Sequence, residues 1–275
     1  AANDWVLDLA SLPVEVVTGT NTSRAMTING SEGELVRVLA DMDLNIANYL
    51  QVSGSLGFVQ RSETVSLEDG TSVDMNVLAL GASGLSGFAG VNGGQANAVG
   101  FAVEDLDLRL AVMTSDDTGY ETHRWVAAEA TAGLATAQGI PGLTLDIEDA
   151  ELAINQVFDA SGSAADTEVV DFATTPVAVE TSANPSGDIS IDGSLGNTLS
   201  VAGDLTLALA GVFQLSGRFG FQQNSRDVTL ANGDTITGAD SIVVTATDVD
   251  GFVGVNAGTD NAMGASVTDL NATFA

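Results

Sequence analysis

One stretch of this chain occurs twice, and in both occurrences apolar residues alternate with polar or small ones. Residues 42–60 read MDLNIANYLQVSGSLGFVQ, and residues 205–223 read LTLALAGVFQLSGRFGFQQ. The two align without a gap at a shift of 163 residues, the interval from Gln60 to Gln223. Internal repeats constrain a fold more than any single motif does. Because an apolar period of two is the mark of a half-buried β-strand, both stretches predict long strands of the same kind.

The repeat extends over most of the chain. With one residue added in the later occurrence, residues 1–111 match residues 164–275, and only residues 112–163 occur once. The matched positions include proline, glycine and aromatic residues: Pro13 and Pro176, Gly30 and Gly193, Gly70 and Gly233, Phe88 and Phe252, Asn97 and Asn261. This many matches in one register indicate a true tandem repeat.

The repeat divides the chain into two units. We interpret residues 1–163 as a first unit that starts inside a repeat, and residues 164–275 as a second, truncated unit; they are called repeat 1 and repeat 2 below. No Pro-, Ser- or Gly-rich linker separates them, so we predict continuous packing between the units. The pattern predicts a segment of a longer tandem array.

A weaker pattern lies inside each unit, where one or two acidic residues accompany alternating apolar residues. It occurs as ADMDLNI at 40–46, VEDLDLRL at 103–110, IEDAELAI at 147–154, AGDLTLAL at 202–209 and VTDLNATF at 267–274. The unequal intervals argue against a β-helix with uniform short rungs and favour several long strands with loops of differing length. Turn signals such as Asp69-Gly70 and Asn232-Gly233 separate these strands.

These patterns predict an all-β fold with an elongated repeat architecture, either β-solenoid-like or built of continuously stacked β-sheets. A straight strand of nineteen residues would span about 60 Å, so we expect each stretch to form two or three strand segments that keep one inward face across corners. Gly54 and Gly217 lie at matching positions in them and predict a bulge or corner. We expect the alternating apolar side chains, Phe58 and Phe221 among them, to face inward. We also predict a strand over residues 125–137.

The charge balance excludes several kinds of partner. The chain has 37 acidic and 7 basic residues, a formal net charge of −30, and no lysine. Nucleic acid and anionic membrane surfaces both require cationic side chains, so neither is expected as a partner. No apolar run approaches the roughly 18 residues of a membrane span. Cysteine is absent, which excludes disulfides, thiolate chemistry and zinc–sulfur sites.

The sequence predicts no catalytic, cofactor-binding or metal-binding residue. His123 is the only histidine, and a solvated loop position is its favoured interpretation. Paired carboxylates could perform acid–base chemistry, but at alternating strand positions opposite the apolar side we expect them to be solvated. These pairs are Asp41 with Asp43, Asp105 with Asp107, and Asp149 with Glu151.

Bound Ca²⁺ is possible, although the sequence does not require it. Asp248 and Asp250 resemble part of a calcium loop. Their counterparts in repeat 1 are Gly84 and Ser86, so these ligands are not repeated.

Four segments carry a resemblance to a known class of protein. They are GFAGVNGGQANAVGFAVEDLDLRL at 87–110, GFVGVNAGTDNAMGASVTDLNATF at 251–274, VTLANGDT at 228–235 and LSGRFGFQQ at 215–223. They resemble tandem repeats in giant secreted bacterial surface proteins, which are acidic, poor in lysine and grouped with RTX-type adhesins. The resemblance implies an extracellular or cell-surface location and a structural or adhesive role. Implied partners are neighbouring repeats, copies of the chain, a cell surface or a polysaccharide. The calcium-binding nonapeptides of RTX proteins are missing.

Three functions follow as hypotheses. The favoured one is a structural or adhesive repeat segment of an extracellular bacterial protein that forms a rod or filament. The alternative is a lipid- or hydrophobe-binding β-groove, because long alternating strands can curl around an apolar interior. An enzyme on a β-helix scaffold would need a carboxylate cluster on one outer face, and we predict that the chain is not an enzyme.

Overall fold

The computed structural model describes residues 6–159, 168–182 and 187–275, and these form an all-β fold. The predicted all-β class is confirmed, and so is the strand over residues 125–137. The strands are β1 Val14–Gly19, β2 Thr22–Met26, β3 Leu35–Ile46, β4 Leu50–Ser66, β5 Ser72–Val91, β6 Val99–Ser115, β7 Arg124–Gln138, β8 Leu143–Phe158, β9 Val177–Val179, β10 Gly187–Ile189, β11 Asn197–Leu209, β12 Phe213–Thr229, β13 Thr235–Val255 and β14 Met263–Phe274. Short 3-10 helices span Gly30–Glu32 and Gly193–Leu195.

Ten of these strands form one antiparallel sheet in the order β3-β4-β5-β6-β7-β8-β11-β12-β13-β14. The order follows the chain, because each strand turns back beside its predecessor. The exception lies between β8 and β11, where the chain leaves the sheet to form the β9–β10 hairpin. The predicted boundary between the repeats, at residues 163–164, lies outside the described residues. An elongated array of stacked units stays a prediction.

Both repeats belong to this single sheet, and matching residues have matching neighbours. Phe58 lies between Val38 and Leu80. Its counterpart Phe221 lies between Val201 and Val244, which match those two neighbours in the repeat. The strands β8 and β11 join the repeats through eleven paired positions, from Thr198 opposite Asn155 to Leu209 opposite Leu143. Pairing across the join is therefore as regular as pairing within a repeat.

A line of backbone irregularities crosses the sheet near the middle of the strands; we call it the crease. Residues with positive φ mark it on most strands: Gly54, Gly84, Asp105, Asp149, Gly217, Asp248 and Asp269. The predicted irregularities at Gly54 and Gly217 are confirmed by register shifts beside both residues. A Cβ on Gly54 would lie 2.7 Å from the Cα of Leu85 on the next strand, which excludes any larger residue there.

The two faces of the sheet differ in polarity. One face, called the apolar face, carries an unbroken row of apolar residues across all ten strands. In sheet order these are Ala40, Leu56, Ala82, Leu108, Ala130, Leu152, Val201, Phe221, Val244 and Phe274. The opposite, polar face carries small, polar and charged residues in the row that contains Gly81, Arg109 and Glu129.

The buried core lies on the polar face, which differs from the predicted arrangement. Residues 168–182 and 187–196, called the cover segment, pack across this face at one end of β4 to β8. Phe172 and Ile189 of the segment are fully buried with Val77, Met113 and Trp125 of the sheet. Phe58 and Phe221, predicted to face inward, lie on the apolar face and are only half-buried. Alternation identifies two faces but cannot tell which one receives a further layer.

Candidate interaction surfaces

The predicted acidic pairs mark the crease. Asp105, Asp149 and Asp269 are each the third residue of one of the acidic motifs, and each has a left-handed backbone conformation with φ between 46° and 52°. Aspartate tolerates this conformation better than most residues with a Cβ. The acidic motif thus provides the local geometry of the crease, a role that the pattern of charges did not reveal.

Polar side chains at the crease also bind the backbone amides that it exposes. The backbone N–H of Gly84 donates to Oδ1 of Asp107 on the adjacent strand, at 2.9 Å. In repeat 2 the backbone N–H of Asp248 donates to Oδ1 of Asn271, at 3.2 Å. These residues match Gly84 and Asp107 in the repeat. Because a carboxylate and an amide oxygen serve equally in this place, the interaction needs an acceptor and not a charge.

Asp41 connects the edge strand β3 to its surroundings. Its carboxylate accepts hydrogen bonds from the hydroxyl of Ser182 in the cover segment and from that of Ser55. These bonds, with Ser182 contributing most, lower the pKa of Asp41 below its usual value. The second member of the predicted pair, Asp43, lies in a cleft beside the crease and is described below.

The carboxylates of Glu151 and Asp204 share one arginine. Arg218 donates from Nη2 to Oε1 of Glu151 and from Nη1 to Oδ2 of Asp204, both at 2.9 Å. The hydrogen bond to Asp204 is the main cause of a raised pKa of Arg218. Asp105 and Asp149 lie beside this triad around a shallow depression of about 380 Å³. The arrangement links β8, β11 and β12 across the join between the repeats.

A calcium site stays a prediction. Within the described ranges, no three His, Asp or Glu side chains lie close enough together to hold a metal ion. Near the predicted partial calcium loop, Oδ1 of Asp250 accepts a hydrogen bond from the backbone N–H of Asp269 at 3.1 Å. This carboxylate, too, serves a backbone amide of the crease.

His123 is half-buried, which corrects its interpretation as a solvated loop residue. Its Nε2 lies 2.9 Å from Oε2 of Glu168, and its ring stacks on that of Trp125 at a centroid distance of 5.6 Å. Trp125 is fully buried and donates from Nε1 to the backbone oxygen of Glu168 at 2.7 Å. The three residues fix the start of the cover segment on β7. Burial is the main cause of a raised pKa of the neighbouring Tyr120.

A cleft of about 400 Å³ lies beside the crease in repeat 1. Asp43, Glu104, Gln51 and Phe88 contribute to its walls, so it offers two carboxylates, an amide and an aromatic ring. The Gln51 amide donates from Nε2 to the backbone oxygen of Gly93 at 3.2 Å. Threonine replaces both carboxylates in repeat 2, as Thr206 and Thr268. The acidic character of the cleft is therefore confined to repeat 1.

The largest candidate surface is the apolar face. Most of its side chains in the middle strands are half-buried, and those toward the edges are well exposed, with Val38, Ile242 and Phe274 at 58%, 52% and 68%. No described residue forms a second layer over it, because the buried cluster lies on the opposite face. No helix in the described part of the chain has the length and apolar character to cross a membrane.

Comparison with known proteins gives no relative. No family model, no curated protein and no solved structure matches the chain.

Two of these features were missed by sequence reasoning. The cover segment was missed because its strands are only three residues long, although its match to the first residues of repeat 1 marked it as a structural element. The bonds between Glu168 and the His123–Trp125 pair left no trace in sequence spacing, since the partners lie more than forty positions apart.

Removing the acceptor at the crease should destabilise the sheet. Asp107→Ala leaves the Gly84 amide without its partner and should lower the free energy of unfolding by about 1 kcal/mol. Asp107→Asn retains an acceptor, as Asn271 does naturally, and should stay within about 0.5 kcal/mol of the original chain. Urea unfolding measures both. Equal losses in the two variants would show that the charge matters and the hydrogen bond does not.

Proposed function

We propose that this chain is a structural repeat segment of an extracellular bacterial protein, in which successive units extend one β-sheet into a rod or filament. The observation that carries the proposal is the pairing at the sheet edges. The edge strand β3 matches β11, and the edge strand β14 matches β6. Both internal counterparts pair on two sides, β11 with β8 and β12, and β6 with β5 and β7. The edge strands β3 and β14 thus resemble in sequence strands that pair with a neighbour on both sides.

The surface chemistry supports this role. A chain that carries −30 charges stays soluble through self-repulsion even when long. The carboxylates at the crease serve as hydrogen-bond acceptors, so the proposal includes no catalysis. The resemblance to repeats of secreted surface proteins supports the extracellular location. Neighbouring units are the proposed partners, and an adhesive contact to a cell surface or polysaccharide is part of the same proposal.

A longer chain tests the proposal directly. Ala275 matches Ala111, so repeating residues 112–275 after Ala275 continues the array in register. The added residues supply six further strands, and at about 4.8 Å per strand the sheet should widen by roughly 29 Å. Small-angle X-ray scattering measures the maximum dimension. Two compact bodies joined by a mobile linker would contradict continuous extension.

The uncovered apolar face favours a second function, the binding of lipid or another hydrophobe. An exposed apolar patch of more than a few hundred Å² is uncommon on a protein that acts alone. The row from Ala40 to Phe274 crosses ten strands. Side chains of the apolar face are partly exposed at both edges of the sheet and in its centre. In this function the sheet would hold acyl chains along the apolar face while its polar face stays in water.

Fluorescence of N-phenyl-1-naphthylamine, a neutral hydrophobic probe, separates this function from the first. Leu145 lies on the apolar face of β8, and Thr144 lies next to it on the polar face. If the face binds hydrophobes, Leu145→Glu should weaken probe binding by about threefold or more, and Thr144→Glu should leave it unchanged. Mass spectrometry of organic extracts should find stoichiometric lipid. Equal binding by both variants, or no lipid, would count against the second function.

A further inference from the structure

The cover segment is attached to the sheet by a short stretch of backbone pairing. Leu67, at the end of β4, forms an antiparallel bridge with Val170. The backbone N–H of Glu68 donates to the oxygen of Val169 at 2.9 Å, and that of Asp171 donates to the oxygen of Ser66 at 2.8 Å. The apolar side chains at this contact are almost fully buried. Because the contacts are made by the backbone, they do not require a particular sequence.

Repeat 1 contains a second segment of the same kind, residues 6–33, called the leading segment. Its Asp8 accepts hydrogen bonds from the amides of Ala10 and Gly30, both at 3.2 Å. Asp171 of the cover segment accepts the same two bonds from Ala173 and Gly193, also at 3.2 Å. A 3-10 helix capped by Asn29 matches the one capped by Asp192. The leading segment therefore has the local structure of a docked cover segment.

The leading segment nevertheless packs over none of the described strands of the sheet. Five of its apolar residues are 37–75% exposed, whereas the matching residues of the cover segment are at most 7% exposed. The pairs are Leu7 and Val170, Val14 and Val177, Val16 and Val179, Met26 and Ile189, Ile28 and Ile191. The side chains that would pack a core are present, correctly arranged, and in contact with solvent.

A matching uncovered surface lies on the sheet of repeat 2. Val228, Leu230 and Ile236, at the adjoining ends of β12 and β13, are 36–48% exposed. Their counterparts beneath the cover segment, Val65, Leu67 and Val73, are each 1% exposed. The chain thus has one completed contact, between the cover segment and the sheet. It also has the two surfaces of a second such contact, the leading segment in repeat 1 and the ends of β12 and β13 in repeat 2.

We propose that the leading segment of one molecule docks on the ends of β12 and β13 of a second molecule of this chain, with Leu7 opposite Leu230. The contact would reproduce the bridge between Val170 and Leu67. This inference rests on the proposed structural function and names the surface and the partner through which separate molecules associate. The leading segment is already folded for docking, so little ordering entropy opposes association.

The proposed contact between molecules is smaller than the contact that the cover segment makes with the sheet of its own chain. Thr245 stands where Gly81 permits close approach of the cover segment, since a Cβ on Gly81 would lie 2.7 Å from the backbone oxygen of Glu180. The proposed docking is therefore confined to the part of the surface around Leu230 and Ile236. A contact of this size fits a dissociation constant between about 1 µM and 1 mM. Because the two surfaces differ, association is head to tail and does not close at a dimer.

Two single variants and their mixture test the proposal in the full 275-residue chain. Leu7→Asp removes one surface and Leu230→Asp removes the other, and both residues are exposed, so neither variant should unfold. Val253→Asp, at an equally exposed site at the far end of β13, is the matched control. Sedimentation velocity is measured up to about 0.5 mM protein in about 0.5 M NaCl, which screens repulsion between the acidic molecules.

The original chain and Val253→Asp should form oligomers that grow beyond dimers as concentration rises. Leu7→Asp and Leu230→Asp alone should associate at least tenfold more weakly, whereas their equimolar mixture should form a dimer and nothing larger. Circular dichroism of each variant confirms folding. A monomeric original chain, association unaffected by either variant, or loss of association in Val253→Asp would overturn the proposal. These outcomes concern separate molecules, so they are independent of whether the longer chain extends its own sheet.

Discussion

The sheet depends on one extra residue that several adjoining strands insert at the crease. In a β-strand, one additional residue turns every following side chain to the opposite face. One row of apolar residues on each side of the crease allows the strands to be compared. In β4 these rows contain Leu56 and Val52, four positions apart, whereas in β6 they contain Leu108 and Val103, five positions apart. The left-handed aspartate Asp105 accommodates the difference. Without it, the apolar residues of one half of the strand would point to the polar face.

The acidic motifs and the apolar alternation are therefore parts of one design. An aspartate can adopt the left-handed conformation, and a polar oxygen two positions further along, as in Asp107 and Asn271, accepts the amide that the bulge frees on the next strand. These interactions repeat in both units. A chain with long strands gains a bend in this way without losing the separation of its two faces.

Sequence reasoning predicted the features that local periodicity encodes. The all-β class and the irregularities at Gly54 and Gly217 follow from alternation and from glycine placement. The continuous series of strand segments expected over 42–60 and 205–223 is wrong, because a hairpin turn at 47–49 and another at 210–212 divide each stretch between two antiparallel strands. The role of Asp105 and Asp149 did not follow, because a charged residue at an alternating position is equally typical of a solvated strand. The position of the core did not follow either. It depends on where the cover segment docks, and neither Phe172 nor Ile189 has a periodic neighbourhood that indicates a face.

The two repeats form one unbroken sheet across β8 and β11. The natural chain has no cysteine, so introduced thiols report on this join alone. Ala153 and Ser200 lie opposite each other, and such pairs have Cα atoms about 4.5–5.5 Å apart, within the range that a disulfide spans. The variant with cysteine at both positions should oxidise almost completely to the intramolecular disulfide, while cysteines at Ala153 and Thr206 should not. No disulfide at the first pair, or equal oxidation of both, would contradict the claim.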